Sequence, residues 1–545
     1  MGWFRFLLGK KEQQNEQGEK AGQLLGDSLD ISQREARLRE LALSADLTEN
    51  IQLLTGLYGN SADLVVRTFQ LGSTRIPGAI FCFEGMFDRD SLEDILRALE
   101  IDARKIPEKL PRDRGLLEAV KEQLLPTHEV REASSVEEIC RSISSGQTAL
   151  LLAGQDRALL CETRGLDTRA ISEPASETTI RGPRDGFVEN LITNISLIRR
   201  RLRTPNLWTE SFTLGSLTRT PVFLIYIKGL VSEELLAEIR SRLERIKMDG
   251  VLESGQMEEY IQDVPLTIFP LVFRTEKPDR VISCLLEGKA AIITDGTPFV
   301  LVLPAQFIKM LEAPDDYYEG FPVGTLTRWL RFFSYLTSIL LPGIYVAVVN
   351  FHQELIPTTL LLRITATREG LPFPVVAEAL MMEFAFEVLR EAGIRLPRAI
   401  GPAISIVGAL VLGEAAIRAG IVSPVMIIVV ALTAIASFTV PVFSIGISAR
   451  ILRFIFIGLG GAFGLFGIQM GIILGLIHLC SLRSFGIPYF SPIGPLIWSD
   501  WKDTFIRMYW WGMTTRPKLL GFREPWRAKA GQRPGPRWSR EEEND

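Results

Sequence analysis

Apolar positions follow two regimes along this chain. Up to about Gly320 they come in short runs broken by Lys, Arg, Asp and Glu, whereas from Phe332 onward they fuse into long uncharged stretches. Phe332–Gln353, Ala419–Ala449 and Phe454–Leu482 carry no charge, and each exceeds the ~20 helical residues that cross a hydrocarbon layer of ~30 Å. Ile400–Gly413 is shorter and spans only if helix continues through its polar flanks. Between these runs the spacing predicts a helix over 374–394, opened by Pro374 and ended near Gly393. It is read as an amphipathic or re-entrant element.

The first regime contains a duplication. "FQLGSTRIPGAIFCFEG" (Phe69–Gly85) returns as "FTLGSLTRTPVFLIYIKG" (Phe212–Gly229), each followed by an acidic amphipathic helix, "DRDSLEDILRALE" and "SEELLAEIRSRLE". Further on, "SSGQTALLLAGQDRALL" matches "LEGKAAIITDGTPFVLV", two apolar runs around a glycine turn, the pattern of a β-hairpin. Both matches share an offset of about 140 residues, which marks an internal repeat. The expected fold is a duplicated soluble α/β head followed by an all-α polytopic membrane domain. Its parts are a flexible or helical tail (1–46), a first α/β unit (47–180), a linker helix (181–207) and a second α/β unit (208–325). A membrane domain of about four spans (326–500) and a basic cytosolic tail (501–545) complete it.

The linker, "RGPRDGFVENLITNISLIRRRLRTPNL", places Phe187, Leu191, Ile195, Ile198 and Leu202 at helical spacing and then gathers Arg199, Arg200, Arg201 and Arg203. Basic side chains at a helix C-terminus suit the dipole. With a formal net charge of -4 over 545 residues, the chain offers no broad basic surface with groove-reading or stacking elements, so a nucleic-acid partner is rejected. Packing between the two head units, or contact with lipid phosphates, is the reading kept.

Topology follows from the ends. Arg328 and Arg331 precede the first run, and the segment after Asp500 is basic, with Trp501, Trp510 and Trp511 suited to an interfacial belt. The positive-inside rule then puts head and tail on the cytosolic side and requires an even number of crossings. Arg450 and Arg453 object, since four crossings leave them in an outside loop; a break at Pro424 or Pro441 would resolve this. The N-terminal "MGWFRFLLGKKEQQ" is no signal peptide, because its apolar stretch is short and broken by Arg5.

Two constellations in the second regime bear on function. Gly460, Gly464, Gly467, Gly471 and Gly475 recur at spacings that let helices approach closely in lipid, within one subunit or between subunits. Glu383, Glu387 and Glu391 form one carboxylate stripe on a mostly apolar helix, with Arg390 beside it. In a symmetric oligomer such a stripe becomes stacked acidic rings that attract cations; alternatively it is the wet face of a helix lying on the membrane. No cofactor is expected: the five cysteines contain no CxxC pair, the three histidines lie far apart, and "GLGGAFG" lacks the Lys-Ser/Thr ending of a phosphate loop. Nothing supplies a nucleophile with a base, so an enzyme is not expected.

Taken with the linker, the segments "LLEGKAAIITDGTPFVLVLP", "DDYYEGF", "FHQELIPTTL", "LPFPVVAEALMMEFAFEVLREAGIRLPRAIGPAISIVGALVLGEAAIRAG", "VSPVMIIVVALTAIASF" and "SFGIPYFSP" resemble the A-subunit family of bacterial spore germinant receptors, the GerA family. That family includes a related stage V sporulation protein, the AF product. The resemblance covers about Leu47 to Trp526. It implies a multi-pass protein of the spore inner membrane that oligomerises into a gated monovalent-cation channel and works with a transporter-like B subunit and a lipoprotein C subunit. A non-conducting scaffold or signal transducer of the germination complex is the alternative.

Overall fold

The computed structural model describes residues 29–72, 75–101, 115–127, 129–165, 173–174, 177, 179–395, 413–520, 523–529, 531–532 and 534. The chain divides into two compact units. One comprises residues up to Asp263 with Val272–Pro304 and the segment from Tyr509; the other comprises Val264–Leu271 and Ala305–Met508.

The first unit is the duplicated head. Helices α1 (Ile31–Glu40) and α2 (Leu47–Leu57) lead into β1 (Leu64–Leu71), β2 (Ile76–Phe83), α3 (Arg89–Glu100), α4 (Gly115–Gln123), β3 (Val130–Ala133), α5 (Val136–Ser144), β4 (Thr148–Leu152) and β5 (Ala158–Cys161). Successive strand residues point to opposite faces, and here both faces are covered. Phe81, Phe83, Leu151 and Leu160 pack with Leu54, Ile139 and Ile143, whereas Ile80, Cys82, Leu150 and Leu159 pack with Ile95, Leu99 and Val120. That is why the central strands read as continuous apolar runs although every pairing is antiparallel.

After the linker helix α6 (Leu191–Arg201) the pattern repeats in β6 (Leu207–Leu214), β7 (Thr220–Ile227), α7 (Glu233–Arg245), α8 (Ser254–Ile261), β8 (Phe273–Thr275), α9 (Pro278–Leu286), β9 (Ala290–Thr294) and β10 (Val300–Leu303). The two sheets have the same strand order, β1-β2-β4-β5-β3 and β6-β7-β9-β10-β8. Matched strands start 142 to 144 residues apart, Leu64 to Leu207, Ile76 to Thr220 and Thr148 to Ala290. Even the backbone exceptions recur: Gly154 and Gly296 turn the two hairpins at φ 82 and 88, a conformation that glycine adopts without a Cβ penalty. The expected linker over 181–207 is helical only from Leu191 to Arg201, with Asn190 as its N-cap.

The second unit is helical, with α10 (Asp315–Tyr318), α11 (Phe321–Phe351), α12 (Thr358–Arg368), α13 (Val375–Arg395), α14 (Pro424–Phe438) and α15 (Phe443–Ser481). Helix α11 starts at Phe321, ahead of the uncharged run. The run Ala419–Ala449 is not one span: helix stops after Phe438 and resumes at Phe443, around Pro441. The run Phe454–Leu482 is also broken. Gly464 has φ 63 and ψ -147, outside helical space, and beyond it the chain folds back. A Cβ at Gly467 would lie 2.4 Å from the Leu459 carbonyl oxygen, and one at Gly471 would lie 2.8 Å from Leu459 and Phe456 side-chain carbons. Such neighbours are impossible along one straight helix, so α15 is a hairpin of two legs, 443–463 and 465–481, about 30 and 25 Å long. Among the described residues, two helices, α11 and α15, are long and apolar enough to cross a membrane; α14 is apolar but shorter. The stretch Ile400–Gly413 lies almost wholly outside the described residues.

Candidate functional site

Contacts within the helical unit fix how its helices run. Ser338, Gly343 and His352 of the first long helix and its end meet Arg453, Phe456 and Gly464 in that order, so α11 and the first leg of α15 are parallel. Val376, Glu383 and Glu387 meet Gly461, Arg453 and Arg450 in turn, so α13 returns antiparallel to that leg. Glu378 meets Ser423 and Arg390 meets Ser437, so α14 runs beside α13 in the same direction. The carboxylate-bearing helix is thus packed against α14 and the first leg of α15 from Val376 to Arg390, and its last turn is exposed among the described residues.

This packing places the stripe. Glu383 accepts from Arg453 Nη1 at 2.6 Å, and both side chains are 1% exposed. One turn on, Glu387 pairs with Arg450 and has Arg390 alongside. A further turn on, Glu391 pairs with Arg395 of its own helix at 2.8 Å, with the two side chains 53% and 79% exposed among the described residues. An unpaired buried carboxylate is costly, and the arginines supply the compensation. Arg450 and Arg453, which hydropathy assigned to a loop, therefore belong inside a helix, opposite the glutamates. Glu414 and Arg418 form an exposed pair, four residues apart.

Arg453 has a second task that sequence explains. Pro342 lies inside α11 and has no N–H, so the carbonyl of Ser338, four residues back, loses its helical donor. Arg453 Nε donates to that oxygen at 2.7 Å. One guanidinium thus joins α11, α13 and the first leg of α15. Its Nη2, Glu383 Oε1 and Arg390 Nε are buried with no hydrogen-bond partner among the described residues.

The glycines fall into distinct surroundings. A Cβ at Gly460 would lie 2.4 Å from the Gly343 carbonyl oxygen, and one at Gly464 would lie 2.8 Å from the His352 ring. Gly467 and Gly471 face the opposite leg of their own hairpin, and a Cβ at Gly475 would have nothing within 4 Å among the described residues. Four of the five therefore serve close approach inside one chain.

The arginine cluster of the head also separates. Arg199 is 1% exposed and forms a two-point ion pair with fully buried Asp63, with Nη2–Oδ1 at 2.8 Å. It also donates to the Leu207 carbonyl at 3.2 Å and lies over the Phe83 ring at 3.7 Å. It thereby joins a residue ahead of β1 to the first residue of β6. Arg201 pairs with Asp185 at 2.6 Å, and Arg203 donates to the Arg200 carbonyl.

Three features escaped the sequence reading. Glu378 is buried between Arg368, at 2.8 Å, and Ser423, whose N–H and hydroxyl both donate at 2.6 Å. The Arg450/Arg453 pair did carry a signal, because an ionisable residue inside an apolar helix demands a partner. The third is an ionic network at the base of α11. Arg331 grips Asp316 at 2.8 and 2.9 Å, Arg328 donates to the Asp503 carbonyl at 2.6 Å, and Tyr317 donates to Glu312 and Asp503. Burial raises the Glu312 carboxyl despite Lys309 and Arg328. Burial also acts on Asp316 and Asp503, but arginine and lysine neighbours prevail and hold both below the usual carboxylate range. Arg328 and Arg331, counted as topogenic charges, are neutralised within this network.

The sequence matches the family described as Bacillus/Clostridium GerA spore germination protein over residues 52–519. The chain belongs to the GerA family. GerA relatives include spore germination protein KA of Bacillus subtilis, 44% identical over 503 residues and 92% of each chain. An uncharacterized membrane protein of the same organism, YfkQ, is 43% identical over 87% of this chain and 91% of its own. Among solved structures, the N-terminal domain of the A subunit of the Bacillus megaterium germinant receptor GerK3 is 35% identical; it covers 49% of this chain and 98% of its own, with a TM-score of 0.40. The A-type germination proteins among these relatives make this chain a member of the germinant receptor A-subunit family, and the family and its apolar helices associate it with membranes.

Proposed function

We propose that this GerA-family chain is the membrane-embedded A-type subunit of a spore germinant receptor, and that copies of it assemble into a gated monovalent-cation channel that triggers germination. On this reading it lies in the spore inner membrane, with head and tail cytosolic, and works with B-type and C-type germination subunits. The observation that carries the reading is helix α13: Glu383 and Glu387 of its stripe lie among apolar helices, facing Arg453 and Arg450. A carboxylate released from its arginine in that setting would attract a cation. That Gly320 and Leu482, the two ends of the long-helix region, lie toward one end of the layer agrees with head and tail sharing one side.

The test is the reversal potential of the reconstituted full-length protein, with its partner subunits, in asymmetric KCl. Replacing Glu383, Glu387 and Glu391 with Gln leaves Arg450 and Arg453 without counter-charges, so cation selectivity should fall and anion permeation rise. Conduction with unchanged selectivity rejects the stripe as the filter. No current from correctly assembled wild-type complexes supports the scaffold reading instead.

A further inference from the structure

Resting on the channel reading above, we propose that the first leg of α15 steps one helical turn along α13, exchanging one pair of carboxylate partners for another and releasing Glu383 to a permeating cation. The two helices carry mismatched charges. Helix α13 presents three carboxylates at four-residue spacing, Glu383, Glu387 and Glu391, whereas the facing leg presents two guanidiniums, Arg450 and Arg453. In the observed register Arg453 sits on Glu383 and Arg450 on Glu387. Glu391 is the spare rung, exposed among the described residues and held there by a surface pair with Arg395, a type of contact that contributes little.

A shift of one turn, about 5.4 Å, is a known kind of two-state step between packed helices. It moves Arg453 to Glu387 and Arg450 to Glu391, so both arginines keep a carboxylate and only Glu383 loses one. The chain supplies the slack at both ends of the leg. A turn at 439–442 precedes it, and Gly464, with φ 63, ends it. The observed register is held by the donor-deficient Ser338 carbonyl, which Arg453 satisfies. It is not fully satisfied, since Arg453 Nη2 and Glu383 Oε1 are buried without partners. Arg453 is a positioning residue here: it sets which rung the leg occupies.

The two registers can be trapped separately. A Cβ at Gly461 would lie 3.4 Å from Val376 Cβ, close to the ~3.8 Å of a disulfide, so V376C/G461C reports the resting register. Leu380 is one turn further along α13, so L380C/G461C reports the shifted one. The assay uses the full-length protein with its partner subunits in proteoliposomes loaded with K⁺. Introducing E383Q, which strands Arg453 in the observed register only, should move oxidative cross-linking from the first pair to the second and speed K⁺ efflux about tenfold, whereas R453Q, which strands Glu387 in the shifted register only, should not. Oxidised V376C/G461C should abolish that efflux, and reductant should restore it. E391Q, at an exposed position, should suppress the shift. Cross-linking that stays at 376/461 in folded E383Q overturns the step, whatever the efflux. Cross-linking that moves while K⁺ stays trapped keeps the step and overturns the channel reading.

Discussion

Replacing Arg199 with Met should destabilise the first α/β unit far more than its surface arginine neighbours suggest. Arg199 and Asp63 are a fully buried pair, with side chains 1% and 0% exposed. Met fills similar volume but leaves the Asp63 carboxylate buried without its guanidinium, and also removes the cation above Phe83. Breaking such a pair from one side costs about 3–5 kcal/mol; the cation–π contact belongs to the same desolvated group and is not added. Cys140 shares a core with Phe83 and is buried, so a maleimide reaches it only when the unit opens. Its labelling rate in the native full-length protein follows the opening equilibrium, and at ~1.4 kcal/mol per decade R199M should raise it by about two to three and a half decades. Exposed Cys480 serves as the fast internal standard. Adding D63N removes the stranded charge and should recover about a decade or more. A rate for R199M within about threefold of wild type, or a double variant as labile as the single, would refute the bridge as a source of stability.

Further outcomes follow from the same physics. Burial pushes Cys82, Cys140 and Cys161 up to about 12 from an ordinary value of 9.0. Because the folded values are raised, the stability they contribute is fully present below about pH 9 and is lost as pH rises toward about 12, roughly 4 kcal/mol per thiol; an alkaline titration followed by circular dichroism should show the head unfolding in that window. G460V forces a side chain into the Gly343 carbonyl and should cost about 1–3 kcal/mol, whereas G475V, with open space around it, should leave the thermal midpoint in detergent unchanged. D316N removes the anion gripped by Arg331 and approached by Arg328. It should cost about 2–3 kcal/mol locally and appear as faster tryptic cleavage after these two arginines.

The duplication was legible because its parts are local. Hairpin glycines, amphipathic helices and apolar strands each sit within some twenty residues of sequence. What joins the sheets was not: β8 is only Phe273–Thr275, too short to stand out, and sequence located the arginines of the linker but not which one reaches Asp63, 136 positions away. The sequence offered the break near Pro441 but missed the one at Gly464, since glycine is common in apolar helices and nothing local distinguishes the turning Gly464 from the packing Gly460. It set α13 apart from the uncharged runs because of the very charges that its neighbours compensate. The network at the base of α11 left no local trace, since Tyr317 and Asp503 stand 186 positions apart.

The order of charges along the chain bears on how the molecule is made. Glu383 and Glu387 are synthesised before Arg450 and Arg453, so the arginine-bearing leg meets a helix whose counter-charges already wait for it. In a bilayer an arginine without that partner resists burial, which makes α13 a template for the insertion of everything after it. The turn at Gly464 lies in a stretch with no ionised side chain from Phe454 to Leu482, so the tip of the hairpin drags no charge through the lipid. A chain that stops before Arg450 would leave Glu383 and Glu387 without their counter-charges, and one lacking α13 would leave Arg450 and Arg453 without theirs.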